Sequence, residues 1–337
     1  MPKALLVIDD TVVLRSSTKA PSVATHHQHG RKCNRPGYVR GQCWVSLSTV
    51  LTQGQRSVAI PLLNRLTRQA GNTNKLDIAI TLLRAVRSVV QDAMVLLDSW
   101  YMRKKVIRHA TGQGYGVIGQ VRKDTALYAC PLLSEQRQRG RPRRYGEKYT
   151  ANRLAALPEQ RTTLTLYGKR QMVRYRSAVV MARFLGGQRV KAVWVQFEDG
   201  QGRLSGTRLP LSTLTELTAE SILTFYEKRW CCEPMFNKLK HAWGLQETWQ
   251  QTRQVLHRWV QIVTLAYALP QLLALLPKEH LTGLCQWTPW RTTQPITAGR
   301  IRLGLHRILW QVSIRDWWNP KSRIFKPPET AIAVSRA

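Results

Sequence analysis

Short apolar runs punctuate the first third of the chain. "ALLVIDDTVVLR" (4 to 15) is rich in Val, Ile and Leu and ends in charge, the pattern of a buried strand. "QCWVSLSTVLT" (42 to 52) and "SVAIPLL" (57 to 63) predict two more strands. The period then changes: in "KLDIAITLLRAVRSVVQ" (75 to 91), Leu76, Ile80, Leu83 and Val86 or Val90 share one helical face. "AMVLLDSW" (93 to 100) predicts a fourth strand, "WYMRKKVIRHA" a basic helix, and "GYGVIGQVR" (114 to 122) a fifth strand. Strands and helices in that order predict an α/β fold with one mixed five-stranded sheet and flanking helices over residues 1–122.

Past residue 122 the pattern breaks. Residues 123 to 160 are polar and Arg-rich, and "VRYRSAVVMARFL" (173 to 185) and "RVKAVWVQFED" (189 to 199) are β-like runs. Residues 123–212 are therefore expected to form a β-rich basic insertion, with 213–250 returning to the sheet as a helix. Residues 251–325 read as a helical C-terminal region and 326–337 as a disordered tail. The longest apolar segment, "WVQIVTLAYALPQLLALLP" (259 to 277), contains Gln261, Pro270 and Gln271, so a buried helical hairpin is expected rather than a membrane span. No signal peptide is expected from "MPKALLVIDD", whose apolar run is too short.

Charge narrows the function classes. The 337 residues carry 52 Lys+Arg against 19 Asp+Glu, a net charge of +33, spread along the chain rather than gathered in a tail. A folded protein of that kind is suited to tracking phosphates. An architectural nucleic-acid binder satisfies the same composition. The six cysteines, Cys33, Cys43, Cys130, Cys231, Cys232 and Cys285, form no CxxC pair and no zinc-like spacing with histidine, which suits a reducing cytoplasm. "THHQHG" (25 to 30) has no second ligand group nearby and reads as a loop of solvated or phosphate-facing histidines.

Against that background the few carboxylates on strands stand out. Asp9 and Asp10 close the first strand and Asp98 the fourth, where a carboxylate is costly unless paired or bound to a cation. In "FYEKRWCCEPMFNKLK" (225 to 240), at ~100° per residue, Tyr226, Arg229, Glu233 and Lys240 fall in a stripe about 60° wide. Phe225, Cys232, Phe236, Leu239 and Trp243 occupy the adjoining sector, and Pro234 is expected to kink the helix at Glu233. Carboxylates converging from two strands and a helix suit a pair of Mg²⁺ ions about 4 Å apart acting on a phosphodiester. Tyr226, Arg229 and Lys240 would hold backbone phosphates beside them.

At these residues the chain resembles bacterial insertion-sequence transposases of the DDE class, which have a ribonuclease H-like catalytic fold. Their signature of Tyr, two residues, Arg, three residues, Glu, six residues, Lys is matched by Tyr226, Arg229, Glu233 and Lys240. "DDT" (9 to 11) resembles the first-aspartate motif and "LLDSWY" (96 to 101) the second. The resemblance implies Asp10, Asp98 and Glu233 as catalytic metal ligands for two Mg²⁺ ions, with Mn²⁺ able to substitute. Asp9, on the opposite face of the strand, is the alternative to Asp10. It further implies nicking at element ends, joining of the freed 3′-hydroxyl to DNA, and a homodimer on double-stranded DNA, in the cytoplasm at the nucleoid. No membrane and no small-molecule substrate is expected.

Relatives carry a DNA-binding region ahead of the first aspartate. Here nine residues precede Asp10, so a truncated start or end recognition located elsewhere is expected. Further DNA contacts are expected at Arg103, Lys104 and Lys105, and at Arg141, Arg143 and Arg144 of the hook-like "GRPRRYG". Trp194 is a candidate for stacking a flipped base, with a core aromatic as the plainer reading. A catalytically inactive DNA-binding remnant and a metal-dependent nuclease on the same fold are the alternatives.

Overall fold

A computed structural model describes residues 3–17, 19–27, 36–54, 56–68, 72–131, 144–285, 296–310 and 317–325. The chain divides into two compact units, Met1–Ala266 and Tyr267–Ala337.

The first unit is built on β1 (Ala4–Leu14), β3 (Tyr38–Gln53), β4 (Arg56–Leu66), β5 (Ala93–Leu97) and β6 (Gly116–Val121). β1 runs antiparallel to β3 and β3 antiparallel to β4, while β5 lies parallel to both β1 and β6. The expected mixed five-stranded sheet is therefore present, in the order β4-β3-β1-β5-β6. Every residue of β5 is buried, as its unbroken "AMVLL" requires of a central parallel strand covered on both faces. Helices α1 (Asn72–Val86) and α2 (Lys104–Gly112) cover one face, where Leu6, Ile8, Val45, Leu47, Val95 and Leu97 meet Leu82, Leu83, Val106 and Ile107. Gly41 of β3 has no room for a side chain, because a Cβ there would stand 2.4 Å from the Val13 carbonyl oxygen.

The sheet extends beyond those five strands. A short β2 (Ala24–His27) pairs with β3, so the histidine segment is partly strand rather than loop, and His26 is buried with Nε2 3.2 Å from the Gly41 carbonyl. Strand pairing absorbs those residues because β3 is 16 residues long and offers more edge than β4 covers.

The β-rich stretch contains β7 (Leu127–Tyr128), a short α3 (Ala151–Ala155), β8 (Gln160–Leu166), β9 (Lys169–Ala182), β10 (Gln188–Phe197) and β11 (Leu209–Ser212). β11 pairs with both β10 and β6, so these strands continue the central sheet, which counts eleven strands among the described residues.

α4 (Ala219–Glu227) begins at Thr218, whose Oγ1 accepts the Ser221 N–H at 3.2 Å, with Glu220 in the first turn favoured by the helix dipole. A 3₁₀ turn (Lys228–Cys231) follows, then α5 (Cys232–Ala242). The helix thus breaks one turn before Glu233, not at it. Pro234 cannot donate to a carbonyl four residues back, and the chain tightens into i→i+3 geometry ahead of it. Cys232, Met235, Phe236 and Leu239 of α5 are buried, and Met235 Sδ lies 3.5 Å from Ser48 Oγ of β3. α6 (Arg253–Leu273) runs through Pro270 as one helix, where a hairpin was expected: the apolar spacing continues on both sides of the proline.

In the second unit, α7 (Thr282–Cys285) and α8 (Ala298–Trp310) share a small core of Ala274, Leu281, Cys285, Ala298 and Ile301. A two-stranded ribbon, β12 (Trp318–Asn319) with β13 (Ile324–Phe325), follows. No helix among the described residues is long and apolar enough to cross a membrane.

Candidate active site

The parallel pairing of β1 with β5 ends at Ile8 and Leu97, so Asp9 and Asp98 are the next residues on neighbouring strands. Asp98 opens a turn in which its Oδ1 accepts the N–H groups of Trp100 and Tyr101, both at 2.9 Å. Asp9 faces α5. Its Oδ2 accepts Arg229 Nη1 at 2.9 Å and its Oδ1 accepts the Asp10 N–H at 2.8 Å. The second terminal nitrogen of Arg229 lies 3.8 Å from Glu233 Oε1, a distance of charge attraction rather than hydrogen bonding. One guanidinium therefore stands between a strand carboxylate and a helix carboxylate.

Electrostatics mark the same spot. Burial raises Asp9 to about 7, against the pull of Arg229 and with the help of the like charges of Asp98 and Asp10. Asp98 is raised by burial and Glu233 by partial burial, each opposed by Arg229. Burial works to lower Arg229, but Asp9, Tyr226, Asp98 and Glu233 together hold it above its ordinary value. Tyr226 is buried and raised to about 12. The Arg229 guanidinium carbon lies 5.9 Å from the Tyr226 ring centre and 5.5 Å from that of Trp230.

The β8–β9 hairpin reaches this segment. Its tip residue Tyr167 has φ of 55° and donates its N–H to the buried Glu227 carboxylate, while its ring meets Trp230 edge-on at 5.6 Å. Tyr167 and Trp230 were not anticipated; the only hint was the aromatic inside the signature and a Tyr-Gly pair at a strand reversal.

Asp10 points the other way, as alternation along a strand demands. Its Oδ2 accepts Lys75 Nζ at 2.8 Å and the Cys43 thiol at 3.3 Å, and its Oδ1 accepts the Tyr101 hydroxyl at 3.0 Å. Of the two aspartates expected as alternatives for this position, Asp9 is the one that lies beside Arg229 and Glu233, and Asp10 turns to Lys75.

Three of the four signature residues stay within reach of one another, with Arg229 between the Tyr226 ring and the Glu233 carboxylate. Their exposure differs: Tyr226 and Arg229 are buried, whereas Glu233, past the 3₁₀ turn, keeps half its side chain in solvent. Lys240 sits two turns further along α5, partly buried. Arg103 bonds the Trp100 carbonyl, Lys105 pairs with Asp77, and Lys104 is exposed. Arg144 is exposed; Arg141 and Arg143 lie outside the described residues.

Trp194 is buried and packs on Tyr149, ring centres 5.4 Å apart. Its neighbour Val195 lines a small cleft with Tyr226 and Leu223, so alternation puts Trp194 on the sheet face away from Arg229.

A family model described as "Transposase DDE domain" matches residues 1–269. The chain belongs to that family. It is thus a transposase domain, an enzyme of the polynucleotidyl-transferase kind whose partner is DNA, and its family generally uses divalent metals. No curated protein matches the chain. Whether this transposase's residues suit a divalent ion can be judged from their chemistry. Asp9, Asp98 and Glu233 supply hard carboxylate oxygens, and a cation would offset both the burial and the neighbouring like charges that raise Asp9. Among the described residues, no three acidic, His or Cys side chains stand close enough to enclose an ion, with Arg229 between two of them.

Proposed function

We propose that this transposase cuts and joins DNA by divalent-metal-dependent phosphodiester hydrolysis and strand transfer, with Asp9, Asp98 and Glu233 as its carboxylates. The observation that carries the reading is the convergence of the β1 and β5 ends with Glu233 around Arg229. Asp9, Asp98 and Glu233 would hold the ions, Mg²⁺ with Mn²⁺ as substitute. When bound, such ions polarise the phosphodiester and make a water or 3′-hydroxyl acidic enough to attack.

The chain's own groups do the rest. Arg229, held by two aromatic rings, pulls Asp9 toward its ionised form against the effect of burial and offers a planar donor fork to a phosphate entering the site. Exchange of the guanidinium from carboxylate to phosphate frees the carboxylate oxygens as DNA arrives. Asp98 is held in its turn by two N–H groups, so its Oδ1 is fixed in direction. Tyr226 and Lys240 flank the same phosphate track. The natural unit is a homodimer on paired DNA ends, acting in the cytoplasm.

The test is a joining assay with a pre-nicked DNA end bearing a 3′-hydroxyl, a supercoiled plasmid and Mg²⁺ or Mn²⁺. Wild type should join the end, and Glu233→Gln should bind DNA without joining. If wild type binds yet neither cuts nor joins with either ion, the catalytic reading is wrong for this chain.

A further inference from the structure

Cations from two separate stretches, α2 and the segment at Arg144, meet at the β9–β10 reversal. A 3₁₀ turn (Arg183–Leu185) leads there into Gly186 and Gly187, with φ of 76° and 86°, a conformation that side-chain-bearing residues rarely adopt. The position a Cβ would take on Gly186 lies 3.0 Å from Arg108 Nη2, 3.8 Å from Arg144 Nη2 and 3.8 Å from Lys104 Nζ. Lys104 and Arg108 are one turn apart on the exposed face of α2, and Arg144 donates to the Gly186 carbonyl.

Among the described residues no carboxylate pairs with any of the three, whereas neighbouring Lys105 has Asp77 and Arg153 has Glu147. Three like charges, each within 3.8 Å of one point, repel one another, and more strongly near a protein surface than in open water. Such a cluster is unfavourable until an anion enters it.

We propose that Lys104, Arg108 and Arg144 form a site for one backbone phosphate of DNA. It lies on the α2 side of the sheet, separate from the Arg229 site on the α5 side. The proposal rests on the reading of the protein as one that handles DNA. The N–H groups of Gly186 and Gly187 are already taken by the carbonyls of Arg183 and Ala182. Recognition is therefore by side-chain charge alone, which positions a duplex without reading its sequence. The paired glycines keep the space between the cations free of side chains.

The experiment compares the full chain with Arg108→Gln, with the triple variant Lys104→Gln/Arg108→Gln/Arg144→Gln, and with Arg203→Gln as a surface-charge control. Arg203 is exposed and paired with Asp199. Two probes are used: melting in sodium sulfate against sodium chloride at equal ionic strength, and anisotropy of a labelled duplex across salt concentrations. Wild type should gain more from sulfate than the triple variant, which should melt no lower than wild type in chloride because repulsion is gone. The slope of log affinity against log salt should fall by about 1 in the triple variant, and affinity by roughly tenfold at low salt. Arg203→Gln should match wild type.

Equal sulfate responses and equal slopes would mean a solvated basic surface only, and the proposal would be wrong while the DNA reading stood. If wild type binds no duplex, the DNA reading and the DNA occupant of this site fail together. A selective sulfate effect in that case would leave an anion site of another purpose.

Discussion

Asp9 and Asp10 are neighbours on one strand, yet they live in opposite surroundings. Asp10 has both oxygens satisfied inside the protein, by Lys75, Cys43 and Tyr101. Asp9 has one cation, which it shares with Glu233, and it feels Asp98 and Asp10 as like charges. A carboxylate with a complete set of internal partners is a structural anchor. One left short of positive charge in a buried place is available for a ligand. Tyr101 links the two faces, since its hydroxyl reaches Asp10 and its N–H holds Asp98.

The largest expected effect separates the two aspartates directly. Asp9→Asn should lower strand joining by about 10³-fold, because a lost ligand removes several kcal/mol of transition-state stabilisation. Asp10→Asn should stay within about tenfold of wild type in the same assay. The reverse ranking would return Asp10 to the catalytic set.

Stability should rank the pair the other way. Lys75→Met leaves Asp10 short of its cation and should cost about 2–3 kcal/mol by chemical denaturation. That is below the cost for a fully buried pair, since Lys75 and Asp10 side chains keep 17% and 19% of their exposure. Adding Asp10→Asn to Lys75→Met should recover part of the loss. If the two losses simply add, the ion pair is not what anchors this face.

pH should move stability with opposite signs at two sites. His257 sits edge-on to Trp44, its ring centre 5.2 Å away, and burial together with Arg253 and Arg65 lowers it to about 4. Between about 4 and 6.5 the unfolded chain takes up the proton first, so His257 makes the protein less stable as pH falls through that window. Asp9 is raised to about 7, so without metal it favours the folded state at low pH and loses that contribution as pH rises from about 4 to 7. In Asp9→Asn the acid-side loss should steepen, by on the order of 1 kcal/mol per pH unit at most. In His257→Gln it should flatten. Melting curves from pH 4 to 8 in chelator would read both, and unchanged profiles would contradict them.

The smallest effect on chemistry is expected at Trp194. Trp194→Leu should cost about 1–3 kcal/mol of stability through lost packing on Tyr149, with joining by the folded protein unchanged. A selective loss of joining would place this ring at the DNA after all.

The sequence by itself determined the elements and their chemistry. Apolar runs located all five core strands because a central strand such as "AMVLL" must be apolar on both faces to be buried. Spacing marked Tyr226, Arg229, Glu233 and Lys240, and scarcity marked the aspartates, because a net charge of +33 makes each strand carboxylate conspicuous. Tertiary structure alone decided which aspartate meets Glu233. A strand shows two faces of equal standing, and only the packing of α5 on the Ser48 side and of α1 on the other tells them apart. The 3₁₀ turn before Glu233 was hidden for a related reason: helical phase accumulates, so one tightened turn re-aims every later side chain. The meeting of Lys104, Arg108 and Arg144 at Gly186 joins residues far apart in the chain, and the fold of the β9–β10 hairpin against α2 brings them together.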